Sequence, residues 1–501
     1  MYISNLYIIC GAVLKTVYTI NGFSSLLATS PKYQEQETEE KKLLLLDRCN
    51  WLITRIAIIN IYRNEPVYNY VNLHSVYLKK YLTNRNYKDI ENCLIDLGII
   101  EENGKYAPNR FSKSFRLTDK AIDSGIAETT ILSKKFNSKI EEENNKRIEE
   151  ILSNPLLKKI AINTSRLKVV EDEGFLLDAY YDPLDYIEKD EYDAMSDEEH
   201  EKFYDELMSR LSKEKNHLFK VMRYEQYYRG FESLNDIDDP EQLLKLYVNY
   251  KPSVANTGRI YHTFASMPKQ VRKCLRTKNN ELIWEIDMSS AQPSIMFLEW
   301  LKWAKNNFNN KFKDEYELCL KLLLEGGIYK YIESNSEYFK GLKYDELKES
   351  VLTVINAENK PTKQNIELSK LFPNVFKWIN KIKKVDHRKV SYIGQRAEAQ
   401  IFVESYKDIP DNKFALIIHD CILVTKQDLK LVRGLLESRI RKMYPEVILS
   451  NHNLDKLFKE ELVSIPDDNL ILNKLDRFYK KYNGGDWSGF LVKEISNNQE
   501  S

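Results

Sequence analysis

Residues 282–300 read Leu-Ile-Trp-Glu-Ile-Asp-Met-Ser-Ser-Ala-Gln-Pro-Ser-Ile-Met-Phe-Leu-Glu-Trp. The segment 282–286 is a short, partly β-branched apolar run of strand length. Asp287 follows it, and then come two serines able to cap a helix and a proline tolerated in a first helical turn. An apolar run at 295–303 continues at helix length. This order predicts a carboxylate at a strand end, within reach of a metal ion or a phosphate, although most such residues are solvated or cap the next helix.

A second carboxylate gives the first one its significance. Residues 414–425 read Phe-Ala-Leu-Ile-Ile-His-Asp-Cys-Ile-Leu-Val-Thr, two apolar runs that meet at His419-Asp420. The pattern predicts a hairpin whose tip lacks Gly or Asn-Gly, so these turn residues serve something other than turn chemistry. We expect the hairpin to place Asp420 beside Asp287, because two carboxylates from separate strands can hold two Mg²⁺ ions about 3.5–4 Å apart for in-line phosphoryl transfer.

Three short motifs occur in a fixed order. They are Asp-Met-Ser-Ser-Ala-Gln-Pro at 287–293, Lys-Glu-Ser-Val-Leu-Thr-Val-Ile-Asn-Ala at 348–357 and Ile-Ile-His-Asp-Cys at 417–421. They resemble motifs A, B and C of the family A DNA polymerases and the single-subunit phage-type RNA polymerases. The resemblance covers residues 256–425 and implies an α+β right-hand polymerase with an antiparallel palm sheet and helical fingers and thumb. The spacing between the motifs is short for these families, so we expect minimal fingers.

The resemblance also implies roles for individual residues. Asp287 and Asp420 would hold two Mg²⁺ (or Mn²⁺) ions, with the backbone carbonyl of Met288 as a further ligand. Lys348, on the helix predicted at 348–357, would bind the incoming nucleoside triphosphate and protonate the leaving pyrophosphate. The alternative for Lys348 is an ordinary solvated lysine.

Two nucleotide-binding positions depart from the families. Asn356 occupies the place of an aromatic residue that stacks near the new base pair, which leaves base stacking in doubt. Gln292 occupies the place of a glutamate that excludes ribose in the DNA polymerases and of a glycine in the RNA polymerases. Its bulk favours deoxyribonucleotides. However, its amide could also hydrogen-bond a 2′-hydroxyl, and Cys421 in motif C is closer to the RNA enzymes.

Several residues are candidates for contact with a template and primer. Arg259, in Asn-Thr-Gly-Arg at 256–259, resembles the arginine that reaches the minor groove upstream of motif A. Arg272 belongs to a segment rich in positive charge, for which an ordinary basic surface is the alternative. The resemblance also makes His419 and Gln395 nucleic-acid contacts. The other cations of the segment are His262, Lys269, Lys273 and Arg276.

The N-terminal part contains a compact set of patterns. Helices are predicted at 71–82 and 87–97, followed by a strand from 99, an Asn103-Gly104 turn and a strand that returns through 113–117. This order resembles a winged-helix module, in which Lys113 and Arg116, with Lys105 and Arg110 nearby, would contact phosphates. The alternative is a winged helix that binds protein.

The patterns predict five regions. These are an N-terminal helical region at 1–65, a winged-helix-like module at 66–120, a helical connector or thumb-like region with an acidic stretch at 121–250, a polymerase-like palm with minimal fingers at 251–430 and a C-terminal helical region at 431–501. Individual helices are predicted at 43–62, 126–152 and 429–444. The acidic stretch at 171–206 matches no Ca²⁺-binding loop.

Composition limits the function classes. The 501 residues include 75 Lys+Arg and 75 Asp+Glu, so any nucleic-acid surface must be local. The six cysteines are scattered, which indicates reduced thiols in a cytoplasmic protein without a zinc site. The apolar run at 2–14 is too short to cross a bilayer, so no membrane partner is expected.

We therefore expect a template-directed nucleotidyltransferase, with a DNA polymerase favoured, whose partners are a template–primer and nucleoside triphosphates. One alternative is a primase or single-subunit RNA polymerase that uses the same residues on ribonucleotides. The other is a non-catalytic replication initiator or DNA-binding protein with an inactive palm. Retention of Asp287, Asp420 and Lys348 speaks against that last alternative.

Overall fold

The strand that carries Asp287 lies inside a four-stranded antiparallel sheet. The computed structural model describes residues 16–63, 69–83, 87–104, 113–169, 195–196, 198–199, 202, 234–235, 237–246, 252–266, 272–307 and 312–464. Over these residues the fold is mixed α+β, mostly helical with several small antiparallel sheets. Outside them lie the run at 2–14, Lys105, Arg110, Lys269 and most of the acidic stretch at 171–206.

The strands are numbered in chain order. They are β1 Thr16–Ile20, β2 Val71–Asn72, β3 Ile100–Glu102, β4 Ser114–Leu117, β5 Ile126–Thr130, β6 Leu167–Val169, β7 Ser253–Val254, β8 Ile260–Tyr261, β9 Leu275–Thr277, β10 Ile283–Met288, β11 Ala415–Ile418, β12 Cys421–Thr425 and β13 Phe458–Leu462. The α-helices are α1 Phe23–Ala28, α2 Pro31–Gln34, α3 Glu39–Arg63, α4 Ser75–Leu82, α5 Tyr87–Asp96, α6 Asp119–Asp123, α7 Lys134–Ser153, α8 Pro155–Ser165, α9 Pro240–Leu246, α10 Ala291–Asn306, α11 Lys313–Glu325, α12 Ile328–Ser334, α13 Tyr344–Asn356, α14 Lys363–Leu371, α15 Pro373–Lys383, α16 Arg388–Asp408 and α17 Leu429–Met443.

The central sheet has the order β11-β12-β10-β13, and all its neighbours are antiparallel. Every residue of β11 and β12 is buried, as continuous apolar strands must be when both faces are covered. Helices α16 and α17 pack against it. Strand β13 was missed in the segment expected to be helical, because its Lys-Glu-Glu interior has the polar composition of an exposed edge strand.

The strand–turn–helix around Asp287 is confirmed, with two corrections. Strand β10 extends through Met288, so Asp287 is its fifth residue and does not follow its end. The serines do not cap α10 with their side chains. Ser290 instead adopts a left-handed conformation (φ 51°) at the N-cap, and the Ser294 hydroxyl donates to the Ser289 carbonyl at 2.7 Å.

The N-terminal elements follow the order α3, β2, α4, α5, β3, β4, with β4 in the middle of a three-stranded sheet. The helices predicted at 43–62 and 87–97 and the returning strand are confirmed. The helix predicted over 71–82 begins only at Ser75, because Val71 and Asn72 pair with Phe115 and Ser114. Likewise the helix predicted over 126–152 begins at Lys134, because 126–130 pair with β1. In both places long-range strand pairing overrides the local helical period.

Two apolar clusters form the core. One contains buried residues from Val17 to Ile140, and the other contains buried residues from Ile148 to Val463, including most of the apolar residues of the central sheet. Helix α7 contributes Phe136 and Ile140 to the first cluster and Ile148 and Ile151 to the second. None of the helices in the described ranges is long and apolar enough to cross a membrane.

Candidate active site

The central sheet brings the two acidic motifs together. The β11–β12 hairpin turns through His419 and Asp420, as predicted, and Asp287 on β10 lies directly opposite Cys421 on β12. The Met288 amide donates to the Asp420 carbonyl at 3.3 Å. Asp287 and Asp420 are therefore neighbours across adjacent strands although they are far apart in sequence.

Negative charge accumulates around Asp287. Its pKa is raised from 3.8 to about 7, mainly by burial and then by the charges of Asp420 and Glu285, while Lys348 opposes the rise. Glu285 lies two residues earlier on the same strand and is buried. Because residues two apart on a strand share a face, the carboxylates of Glu285 and Asp287 point to the same side of the sheet.

Lys348 is an exposed residue on α13. The apolar face of that helix, Leu347, Val351, Val354 and Ile355, is buried, which fixes the helix in place. Its ammonium lies within electrostatic range of Asp287. The structure thus brings together all three of the residues that the sequence assigned to catalysis.

Two of the three predicted nucleotide-binding residues, Gln292 and Asn356, are in direct contact. The Asn356 side-chain amide donates to the Gln292 side-chain oxygen at 2.9 Å. A third residue joins them, since the Ser391 hydroxyl on α16 donates to the Asn356 side-chain oxygen at 2.7 Å. All three side chains are partly buried. The contact joins the first turn of α10 to the end of α13.

Arg259 is not presented on an open surface. It forms an ion pair with Glu398 on α16, and the side chains are only 14% and 2% exposed. Burial raises the pKa of Glu398 to about 7, with Arg259 opposing the rise and Asp420 adding to it. Arg259 Nε and Glu398 Oε1 are buried without a hydrogen-bond partner. A buried ion pair therefore lies next to the two acidic motifs.

His419 lies at the tip of the β11–β12 hairpin, and Tyr261 on β8 contacts it. His419 adopts a left-handed conformation (φ 48°), rare for a residue with a Cβ and more frequent at functional sites. The half-exposed Tyr261 ring meets it edge-on, with ring centroids 5.4 Å apart. Burial and the nearby charges of Arg259 and Arg272 lower the pKa of His419, whereas Asp420 raises it. Arg272 is thus close to the hairpin tip.

The remaining candidates for contact with nucleic acid are Gln395 and other cations of the basic segment. Gln395 is partly buried on α16, one turn before Glu398 and so on the same helix face. Two members of the basic segment are not surface residues: Arg276 is 2% exposed, and His262 is buried with its Nε2–H donating to the Ile417 carbonyl. Their burial is inconsistent with an ordinary basic surface and equally with direct contact to a template.

The basic residues of the N-terminal sheet are already ion-paired. Lys113 pairs with Glu102 at 2.6 Å, and Arg116 pairs with Glu101 and lies over the Tyr70 ring, 5.5 Å from its centroid. Their positive charges are largely balanced by these partners. A phosphate contact here would have to displace an existing carboxylate.

The donor set fits a divalent cation that is completed by substrate. In the described part of the chain no three His, Cys, Asp or Glu side chains are grouped as a metal site. Mg²⁺ commonly binds through one or two carboxylates and completes its octahedron with phosphate oxygens and water. The excess negative charge that raises the pKa of Asp287 is the charge that such a cation would neutralise.

Several site residues were not found from the sequence. Ser391, Glu398 and Tyr261 reach the site only through packing of helices and strands, although the i, i+4 and i+7 spacing of Ser391, Gln395 and Glu398 marks one helix face. Tyr329 on α12 is buried; burial and the charges of Tyr344 and Asp420 raise its pKa. Nothing in its local sequence indicates that position.

Comparison of the sequence with models of known protein families and with curated proteins gave no match.

Proposed function

We propose that the chain is a template-directed nucleic-acid polymerase of the right-hand type, with DNA synthesis favoured. One observation carries the proposal. The carboxylates of Asp287 and Asp420 are brought to adjacent positions of one sheet by the β10–β12 register, with the Lys348 cation in range of them. An acid on a strand, a second acid in the adjoining hairpin turn and a nearby cation are the groups that phosphoryl transfer requires.

Each residue has a distinct task in this proposal. Asp287 and Asp420, with the Met288 carbonyl, would hold two Mg²⁺ or Mn²⁺ ions, which supply charge neutralisation and activation of the attacking hydroxyl when bound. Lys348 binds the triphosphate and donates a proton from its ammonium to the departing pyrophosphate. Positioning and electrostatics supply most of the rate acceleration. Gln292 contacts the sugar of the incoming nucleotide.

The central sheet with α16 and α17 would form the palm, and α13 would belong to small fingers. The module α3, β2, α4, α5, β3, β4 has the element order of a winged helix. Lys113 and Arg116 would contact DNA phosphates by exchanging their glutamate partners for phosphate oxygens. The alternative is a module that binds protein, in which these ion pairs persist.

A polymerase or primase that uses ribonucleotides is the second candidate. The observation that favours it is the fixed Gln292 amide, which presents a polar group, and not only bulk, to the sugar. A site that bonds a hydroxyl discriminates strongly against a substrate that lacks it.

Primer extension tests the proposal and separates the candidates. The wild-type chain is incubated with Mg²⁺ and a primed DNA or RNA template, with four dNTPs or four NTPs. We expect extension on at least one template, with dNTPs preferred. Extension with NTPs from an unprimed template identifies a primase. No product under any condition, with the template bound, supports the inactive DNA-binding alternative.

A further inference from the structure

Gln292 is held by a chain of two hydrogen bonds that spans three helices. Gln292 lies in the first turn of α10, Asn356 ends α13 and Ser391 lies in the first turn of α16. The Asn356 amide nitrogen donates to Gln292, and the Asn356 oxygen accepts from Ser391. A bond to each end of the Asn356 amide fixes its plane, and that plane in turn fixes where the Gln292 oxygen lies.

The close approach of the helices makes the chain possible. Helix α16 passes so near α10 that a Cβ built on Gly394 would lie 3.2 Å from the Met296 Cε. Gly394 is three residues beyond Ser391, on the same face of α16. At this face of α16, Ser391 bonds to Asn356 at the C-terminal end of α13, which is distant in sequence.

Gln292 lies close to Asp287, so the hydrogen bonds that hold its side chain affect the proposed substrate site. Gln292 is five residues beyond Asp287, and the intervening turn is fixed by the Ser294–Ser289 hydrogen bond. A free glutamine side chain has several rotamers, and holding it in one of them costs conformational entropy. An untethered Gln292 would therefore spend part of its time away from the substrate sugar.

We propose that Ser391 is a positioning residue for sugar selection, which acts through Asn356 to hold the Gln292 side chain against the sugar of the incoming nucleotide. This inference rests on the proposed function, since it requires a nucleotide substrate. Ser391 itself does not need to touch that substrate. Its effect is on the ratio of kcat/KM for a deoxyribonucleotide to kcat/KM for the matching ribonucleotide.

The test measures this ratio in single-nucleotide incorporation with Mg²⁺ for wild type, Ser391→Ala, Ser391→Thr, Gln292→Ala and the Ser391→Ala/Gln292→Ala double variant. We expect Ser391→Ala to move the ratio toward its Gln292→Ala value by about 3- to 10-fold, the range for one hydrogen bond. Ser391→Thr, which keeps the hydroxyl, restores the wild-type ratio. In the Gln292→Ala background Ser391→Ala changes nothing, because its effect passes through Gln292.

Ser405→Ala is the matched control. Ser405 lies on the same helix, is buried and donates to the Ile401 carbonyl, so its loss perturbs α16 without touching the chain of bonds. Its ratio should equal that of wild type. Alanine favours helix, so Ser391→Ala keeps the fold.

Results that contradict the inference alone differ from results that contradict the proposed function. An unchanged ratio in Ser391→Ala, or the same change in the presence of Gln292→Ala, overturns the inference while the wild type still incorporates nucleotides. Failure of the wild type to incorporate either sugar overturns the proposed function, and the inference with it.

Discussion

At the scale of single residues, Asp287 couples stability to pH. Its folded-state pKa, about 7 against an ordinary 3.8, means that the folded chain keeps this proton to higher pH than the unfolded chain. The free energy of unfolding should therefore fall as pH rises between about 4 and 7, because over that window the folded state binds more protons than the unfolded state.

Asp287→Asn removes this charge, and in metal-free buffer it should raise the thermal midpoint at pH 8, where the burial penalty is complete. The gain should shrink toward pH 5. Asp411→Asn, at a 91% exposed side chain, is the control and should show no such trend. Added Mg²⁺ should stabilise wild type more than Asp287→Asn. A variant that is less stable than wild type at pH 8 without metal would contradict this account of the site.

In the proposed function, Gln292 sets the sugar preference by its bulk and by a position that its hydrogen bond to Asn356 holds. Gln292→Gly should raise ribonucleotide incorporation relative to deoxyribonucleotide, because it removes the side chain that would clash with a 2′-hydroxyl. The measurement is kcat/KM for matched dNTP and NTP. If the wild type uses NTPs well and Gln292→Gly loses that ability, Gln292 recognises ribose and the enzyme makes RNA.

At the scale of elements, the β7–β8 turn fixes Arg259. Gly258 has φ +87°, and a Cβ there would lie 3.1 Å from the Ala399 Cβ on α16. Gly258→Ala should lower the free energy of unfolding by about 1–2 kcal/mol, measured by chemical denaturation, because a side chain strains the left-handed conformation. Gly434→Ala is the control: this glycine is within α17 with open space around it, so alanine there should stabilise by up to about 1 kcal/mol. Equal effects of the two would contradict the role of the turn.

The N-terminal module gives the second element-scale prediction. Replacing Lys113 and Arg116 together with alanine should weaken DNA binding and reduce the slope of log K against log salt by about 2, if each contacts one phosphate. The control replaces Lys41 and Lys42, which are also ion-paired to glutamates but lie at the start of α3. A salt slope unchanged by the first pair would mean that the module binds protein and not DNA.

The local sequence patterns predicted some of the elements and missed others. Strand β10, the β11–β12 hairpin and helices α5, α13 and α17 could be predicted, because each has a strong apolar period and a definite boundary residue. Strands β2, β5 and β13 could not, because they exist only through pairing with distant partners. The same holds for Ser391 and Glu398, whose importance comes from the neighbours that packing gives them.

At the scale of the whole molecule, one sheet assembles three separate segments of sequence. Strands from 283–288, 415–425 and 458–462 meet in it, and the second apolar cluster encloses it. The motifs predicted that Asp287 and Asp420 would meet, and the strand register places them together. What the motifs did not predict is the surrounding polar shell, in which Arg259 is paired with Glu398 instead of facing solvent.

The central claim is that Asp287 and Asp420 together carry nucleotidyl transfer, and single-nucleotide incorporation on a primed template tests it most directly. The chain is compared as wild type, Asp287→Ala, Asp420→Ala and the Asp411→Ala control, with Mg²⁺ and with template binding measured in parallel. We predict that the wild type and the control incorporate nucleotide, while each of the other variants loses about 10³-fold or more of the rate and still binds template. Near-normal incorporation by either Asp287→Ala or Asp420→Ala would contradict the account.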